Sequence, residues 1–218
     1  MRIDLHCHTC FSRDSLTSFD ALLRSMDRQG LDMVAITDHN TVAGALDFCT
    51  RAPDRFLVGE EIKTTHGELI ALFLEEEIPP GLSLEETISR VHVQRGLVGA
   101  PHPLDRVRGE AVGGETLEKI HAQLDFLEAF NARVTYASDN DLARDLAGRW
   151  GLPATAGSDA HAPSEVGRAY VEMTPFEDPD AFLGSLGKGQ IRGRLSSPLV
   201  HFYSTYAKWR KRAGARLR

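Results

Sequence analysis

Short apolar runs alternate with amphipathic stretches along most of this chain. The first run, Ile3 to Thr9, is expected to be a strand, with His6 and His8 on one side of the pleat and Cys7 on the other. Ser18 is placed to cap a helix from Phe19 to Gln29, where Leu22, Leu23 and Met26 recur at helical spacing and Gly30 stops the run. Met33 to Thr37 has the continuous apolar character of a buried parallel strand and ends in Asp38-His39-Asn40-Thr41. A second helix, roughly Val42 to Arg51, leads to the strand Phe56 to Gly59, which is expected to end at Glu60-Glu61. Adjacent side chains point oppositely, so at most one of these two enters the lumen and the other is expected to be a solvated charge.

The second half continues the pattern. Glu68 to Leu74 is expected as an extra strand or hairpin partner, and Pro79-Pro80-Gly81 as a turn. Ser83, with Glu86 three residues on, is a capping box opening a helix that Gly96 closes. Leu97 to Ala100 predicts a strand running into Pro101-His102-Pro103. Helix is then expected over Thr116 to Gln123, strand over Asp125 to Ala129 and helix over Asp139 to Trp150. The strand Pro153 to Gly157 stops at Ser158-Asp159-Ala160-His161. Arg168 to Met173 predicts a last strand, followed by a helix from about Asp178.

Strand–helix alternation predicts a parallel sheet covered by helices. Neither a repeat nor a linker divides the chain, so one domain is expected over 1–205, with a basic tail over 206–218. In barrels of this kind the C-terminal strand ends carry the active face. His6 and His8, Asp38 and His39, Glu60 and Glu61, His102, and Asp159 and His161 all fall where an apolar strand runs out. That places five of the nine histidines on one expected face. Two imidazoles two residues apart on a strand make a pincer for a metal ion.

Composition narrows the picture further. The 218 residues, 42% hydrophobic and 26% charged, suit one globular domain with a sizeable core. A net charge of −6 argues against a protein that coats nucleic acid. Three cysteines suggest no disulfide framework. Cys7 and Cys10 spell C-x-x-C but lack the helix N-terminus of a redox motif. With no leader before the first strand and no apolar run of spanning length, a reducing cytoplasm is the expected compartment.

Taken together, D-L-H-C-H-T from Asp4, T-D-H-N from Thr37, G-E-E from Gly59, P-H-P from Pro101 and G-S-D-A-H from Gly157 resemble the PHP (polymerase and histidinol phosphatase) family. The resemblance spans Asp4 to His161 in family order. It implies a distorted (βα)7 TIM-like barrel with a metal cluster, usually of three ions, at the C-terminal ends of its strands, and phosphoester hydrolysis as the activity. Carried over, it puts His6, His8, Glu61 and Asp159 on a first metal, and Glu61 and His102 on a second. Asp14, His39 and His161 would hold the third. The family's remaining histidine on the second metal is replaced here by Glu68, which abuts the following apolar strand; His66 is the competing candidate.

The residues support phosphoryl chemistry on their own terms. Asp14, Glu61, Glu68 and Asp159 against three divalent ions leave a charge of about +2, suited to a phosphate dianion, and paired metals acidify a bridging water and take charge from the leaving oxygen. A carboxylate at Glu68 makes the second site harder, favouring manganese or iron over zinc. Arg106, Arg108, Arg133 and Arg168 lie near the ligands in sequence and are candidates for gripping phosphate, although Arg106 and Arg108 could each be plain surface residues. Asp4 and Asp38 are candidates to orient imidazole N–H groups, with plain structural hydrogen bonding the equal alternative. Glu128 and Asn131 end a strand and could touch substrate. His92, His121 and His201 fall in helical or terminal stretches and are expected to be structural.

The expectation is therefore a metal-dependent phosphoric ester hydrolase acting on a phosphomonoester of a small phosphorylated molecule such as a nucleotide. His6, His8, Glu61, Asp159 and His161 would carry catalysis. The alternatives are an exonuclease on short oligonucleotides and a silent PHP module that only binds. No membrane contact and no stable nucleic-acid complex are expected. Lys208, Arg210, Lys211, Arg212, Arg216 and Arg218 make the C-terminal stretch basic, which predicts a solvated helix end or a disordered tail, with a weak nucleic-acid or anionic-membrane contact as the alternative.

Overall fold

Amphipathic helices pack their apolar stripes on apolar strands, and the sheet so covered curls into a barrel. The computed structural model describes residues 1–215. The first half comprises β1 (Arg2–Cys7), α1 (Phe19–Gln29), β2 (Met33–Ile36), α2 (Ala43–Arg51), β3 (Phe56–Thr64), β4 (Gly67–Leu72) and α3 (Leu84–Val93). The second half comprises β5 (Leu97–Ala100), α4 (Gly114–Ile120), β6 (Phe126–Asn131), α5 (Ala137–Trp150) and β7 (Ala154–Gly157). After these come β8 (Ala169–Glu172), α6 (Pro179–Leu186), β9 (Gln190–Gly193) and α7 (Val200–Ala215).

The strands form one sheet in the order β7-β6-β5-β4-β3-β2-β1-β8-β9. β1, β2 and β3 pair in parallel, as do β5, β6 and β7, while β4 runs antiparallel between β3 and β5. The barrel nearly closes where β7 returns to β1. There the Asp159 N–H donates to His6 O at 2.7 Å and the His8 N–H to Ala160 O at 2.9 Å. Gly157 lies on this seam, where an added Cβ would collide with His6 Cβ and stand 2.8 Å from Glu128 Oε1. Two polar side chains bind the loops behind the seam. Asp4 accepts from the Ser158 and Gly167 N–H groups, and Asp38 from the N–H and hydroxyl of Thr9. Both carboxylates therefore make structural hydrogen bonds to backbone and hydroxyl groups, the second of the two readings the sequence leaves open, rather than orienting imidazole N–H groups.

Leu22 and Met26 of α1, both fully buried, pack on the outside of β1 and β2. Each contributes roughly 1.5–3 kcal/mol relative to exposure. Gly30 ends α1 with φ +66°, its N–H donating to the Asp27 carbonyl and the Leu31 N–H to that of Met26. Ser18 occupies the cap position, but its hydroxyl makes no capping bond. Ser83, by contrast, accepts from the Glu86 N–H as the capping box predicts.

Two departures bear on the site. The strand expected to stop before Glu60 continues to Thr64, because β4 folds back and supplies a ladder along its whole end. Glu60 is fully buried, not a solvated charge; its Oε2 accepts from the Ile78 N–H at 2.9 Å, and burial pushes its pKa up to about 8. At the other end of the chain, α7 begins at Val200 and passes unbroken through Tyr206, so the described part of the basic stretch is a helix. Arg216 and Arg218 lie outside the described residues. No helix among the described residues is long and apolar enough to cross a membrane.

Candidate metal centre

The strand ends on the C-terminal side deliver their polar residues to one point. β1 sends His6 and, one step beyond its end, His8 inward; both rings are fully buried with their Nε2 atoms 3.1 Å apart. β3 contributes Glu61. The β3–β4 register sets Glu68 opposite Lys63, which shares a pleat face with Glu61, so both carboxylates point the same way. His66 instead sits in the exposed turn between these strands, its ring bonded to Thr65, away from the cluster. The segment after β2 brings His39, docked on β3 by the Asn40 N–H to Glu61 O bond. His102 follows β5, and Asp159 and His161 follow β7. His102 and Asp159 carry positive φ angles of 29° and 52°. Non-glycine residues in that region persist where surrounding structure holds them, and such sites are concentrated where function needs them.

Distances within the cluster are short. Glu61 Oε2 lies 3.5 Å from His6 Nε2, 3.4 Å from His8 Nε2 and 3.0 Å from His39 Nδ1, while its Oε1 is 3.0 Å from His102 Nε2. Asp159 Oδ1 stands 3.4 Å from both His8 Nε2 and His161 Nδ1. Asp14 Oδ2 stands 3.4 Å from both His39 Nε2 and His161 Nε2. Glu68 Oε1 approaches His39 Nδ1 at 3.8 Å. The structure thus gathers all nine sequence-predicted ligands at one place.

This donor set fits divalent cations. Ligand atoms lie within 4.8 Å of one another in four overlapping groups: His6, His8 and Glu61; His39, Glu61 and Glu68; His6, His102 and Asp159; His8, His39 and His161. Three of these groups cross the expected partition: His39 stands beside Glu61 and Glu68, His102 beside His6 and Asp159, and His8 beside His39 and His161. The buried His39 Nδ1 has no hydrogen-bond partner although Glu61 faces it, an arrangement a cation between them would satisfy.

The electrostatics show acids and bases tuned by one another. His8, buried and facing His161 and His39, is pushed down to about 3. Burial alone would lower His6, but Asp159, Glu128 and Glu61 raise it well above the usual imidazole range. Burial works against the charge on Glu61 and Asp159 as well; His6 and His39 hold Glu61 well below the usual carboxylate range, and Arg108 and His6 do the same for Asp159. Glu68, buried beside Glu61, rises to about 7.

A cavity of about 260 Å³ opens over this floor. Arg108 and Arg133 both line it: Arg108 Nη1 pairs with Asp159 at 2.5 Å, and Arg133 is held by Glu165 at 3.1 Å and by Ser204 Oγ at 3.0 Å. The other two arginine candidates do not reach it. Arg106 turns to Asp139 and Ser138 on α5, where buried Asp139 is its charge partner, and Arg168 lies in the turn before β8, outside the cavity lining. Asn131 does not line the cavity either. Its amide donates to Glu128 Oε2 and Asp159 Oδ2, because the end of β6 points into the seam rather than out of it. Glu128 likewise lies behind the cluster, accepting from His6 Nδ1 at 3.0 Å and from the His102 N–H at 2.6 Å. That pairing fixes the His6 ring with Nε2 toward the ligands.

Sequence reasoning missed the contribution of α7. His201, Ser204 and Lys208, at helical spacing, line the cavity, and Lys208 Nζ is 3.4 Å from Asp14 Oδ2. His201 is therefore a cavity residue, not a plain structural one. Helical periodicity carried past residue 200 was the signal that could have found these residues.

The PHP domain family model matches residues 4–96, and the PHP-associated model matches residues 137–191. The uncharacterized protein MJ1587 of Methanocaldococcus jannaschii is 39% identical over 147 residues, covering 61% of this chain and 82% of that protein. A second uncharacterized protein of that organism, MJ0417, is 35% identical over 189 residues, covering 83% of this chain and 74% of its own length. Among solved structures, a two-domain protein of Bacteroides vulgatus containing a predicted PHP-like metal-dependent phosphoesterase superposes with a TM-score of 0.72 at 18% identity. The match covers 89% of this chain and 65% of that one. The ordered histidine and carboxylate motifs, the barrel that gathers them and these relatives agree: the chain belongs to the PHP-domain family.

Proposed function

We propose that this protein is a metal-dependent phosphoesterase that hydrolyses a phosphomonoester of a small phosphorylated molecule, with nucleotides the first class to test. The observation that carries this reading is the shared cavity: a floor of imidazoles and carboxylates suited to divalent cations, with the guanidinium groups of Arg108 and Arg133 facing the same space. His6, His8, Glu61 and Asp159 would hold one ion, Glu61, Glu68 and His102 a second, and Asp14, His39 and His161 a third. Manganese or iron is favoured by the oxygen-rich second site. Such ions supply positive charge to the phosphate and acidify water at neutral pH.

The chain's own residues do the remaining work. Glu128 accepts the His6 Nδ1 proton and keeps the opposite nitrogen free for a ligand. Arg133, anchored by Glu165, Ser204 and the Val200 carbonyl, presents a fixed guanidinium to phosphate oxygens. Arg108, hydrogen-bonded to Asp159, brings a second guanidinium to the same oxygens. A screen of nucleotides, sugar phosphates and short oligonucleotides with manganese added tests the reading. Release of inorganic phosphate from at least one monophosphate, suppressed by chelation, is expected; no release from any monophosphate would overturn it.

A further inference from the structure

A second depression adjoins the metal cavity, and among the described residues it is lined by Arg13, Lys208, Lys211 and Arg212, with no acid. Arg13 and Lys208 line both spaces, so the two share a wall. This concentration of positive charge sits on a chain whose net charge is −6. Lys211 explains why the helix lies there: its Nζ donates to the Ser12 carbonyl and, at 2.6 Å, to the Cys10 carbonyl, tying α7 to the loop that carries Asp14. Lys208 and Arg212, four apart, share one helix face about one turn from each other, a rise of about 6 Å along the axis. Arg13 and Arg212 are exposed.

Resting on the phosphoesterase reading, we infer that this basic rim binds a second phosphate on the same substrate molecule, about one helical turn beyond the phosphate that the metal centre attacks. A second phosphate beside the scissile one would meet Arg13 and Arg212 just as the first meets Arg108 and Arg133. Guanidinium groups suit phosphate oxygens because their paired N–H donors match the anion's geometry. The field of such a rim also steers anionic substrates into the cavity. The shared chemistry is a phosphate pair, carried either by a small bisphosphate or by the start of a short nucleotide chain.

Calorimetric binding to the manganese-loaded protein tests this without turnover. The probes are butane-1,4-diylbisphosphonate and butylphosphonate, neither of which can be hydrolysed. The bisphosphonate is expected to bind at least about tenfold more tightly than the monophosphonate, as expected for an added charge-assisted phosphate contact. The double variant Arg13→Ala/Arg212→Ala is expected to bring that ratio below about threefold. A wild-type ratio near one, or a ratio that survives in the double variant, overturns the inference. If wild-type protein hydrolyses monophosphates yet shows no bisphosphonate advantage, the rim assignment alone fails; if it hydrolyses none, the phosphoesterase reading fails, and the ratio still reports on the rim. A 5′-phosphorylated dinucleotide with a phosphonate linkage separates the sources. A gain there that the double variant removes assigns the second phosphate to a nucleotide chain, and a gain confined to the alkane probe assigns it to a small bisphosphate.

Discussion

The floor and the rim of the cavity are built by different means. The floor comes from strand ends: His6, His8, Glu61, Glu68 and Asp159 are all buried, and their positions follow from sheet register and the β1–β7 seam. The rim comes from loops and one helix: Arg13, Arg108, Lys208 and Arg212 are joined to the barrel by long side chains and by the Lys211 tether. Register on a sheet is exact to one residue, since a one-residue slip turns every side chain to the other face. A long cation on a helix has no such constraint. Under the phosphoesterase reading, the contrast assigns the reaction chemistry to the barrel and leaves the choice of phosphorylated molecule to the surrounding loops and α7.

The largest effects are therefore expected at the floor. His6→Ala and Asp159→Asn are expected to lower phosphoester hydrolysis at least about a thousandfold, equivalent to about 4 kcal/mol of transition-state stabilisation, while the circular dichroism spectrum stays that of a folded protein. Turnover near wild type in the folded, manganese-supplied variants would dissolve the distinction between floor and rim. A smaller effect belongs to the two cavity arginines. Arg133→Ala or Arg108→Ala is expected to reduce kcat/KM about tenfold or more, whereas Arg106→Ala and Arg168→Ala stay within about twofold of wild type. Steady-state kinetics on the best substrate would show it. Equal losses in all four would mean that proximity to the ligands along the chain, rather than entry to the cavity, governs phosphate binding.

The smallest effect sharpens the floor itself. Glu68→His is expected to move the activity optimum from manganese or iron toward zinc, by a few-fold in relative rate, because added imidazole softens the donor set. His66→Ala is expected to leave metal preference unchanged, since its ring points out of the β3–β4 turn. Reconstitution assays across metals compare the two directly, and a shift in His66→Ala without one in Glu68→His would reverse the assignment.

The sequence made the floor legible because each ligand follows a short apolar run, and period-two alternation states which neighbour shares its face. Alternation separates Glu61 from Glu60 in this way, yet the outward-facing Glu60 is buried rather than solvated. A strand's second face is solvated only when nothing covers it, and here the Ile78 segment does. Asn131 and Glu128 end a strand, which makes them candidates either for substrate contact or for ordinary loop contacts. The twist and closure of the barrel turn that end into the β1–β7 seam, a long-range property no local pattern carries. Lys208 was visible only as one charge in a basic stretch. Helical spacing with His201 and Ser204 places it on one face of α7, but its approach to Asp14 joins the two ends of the chain and is a long-range property.

The central claim is that the nine gathered side chains hold divalent ions on which hydrolysis depends. Metal analysis of the purified protein, read beside its phosphatase rate before and after chelation, tests this most directly. Bound manganese, iron or zinc is predicted, with hydrolysis lost on chelation and restored by manganese, and reduced metal content in His6→Ala and Asp159→Asn. Full hydrolysis by chelated, metal-free protein, or unchanged metal content in both variants, would contradict it.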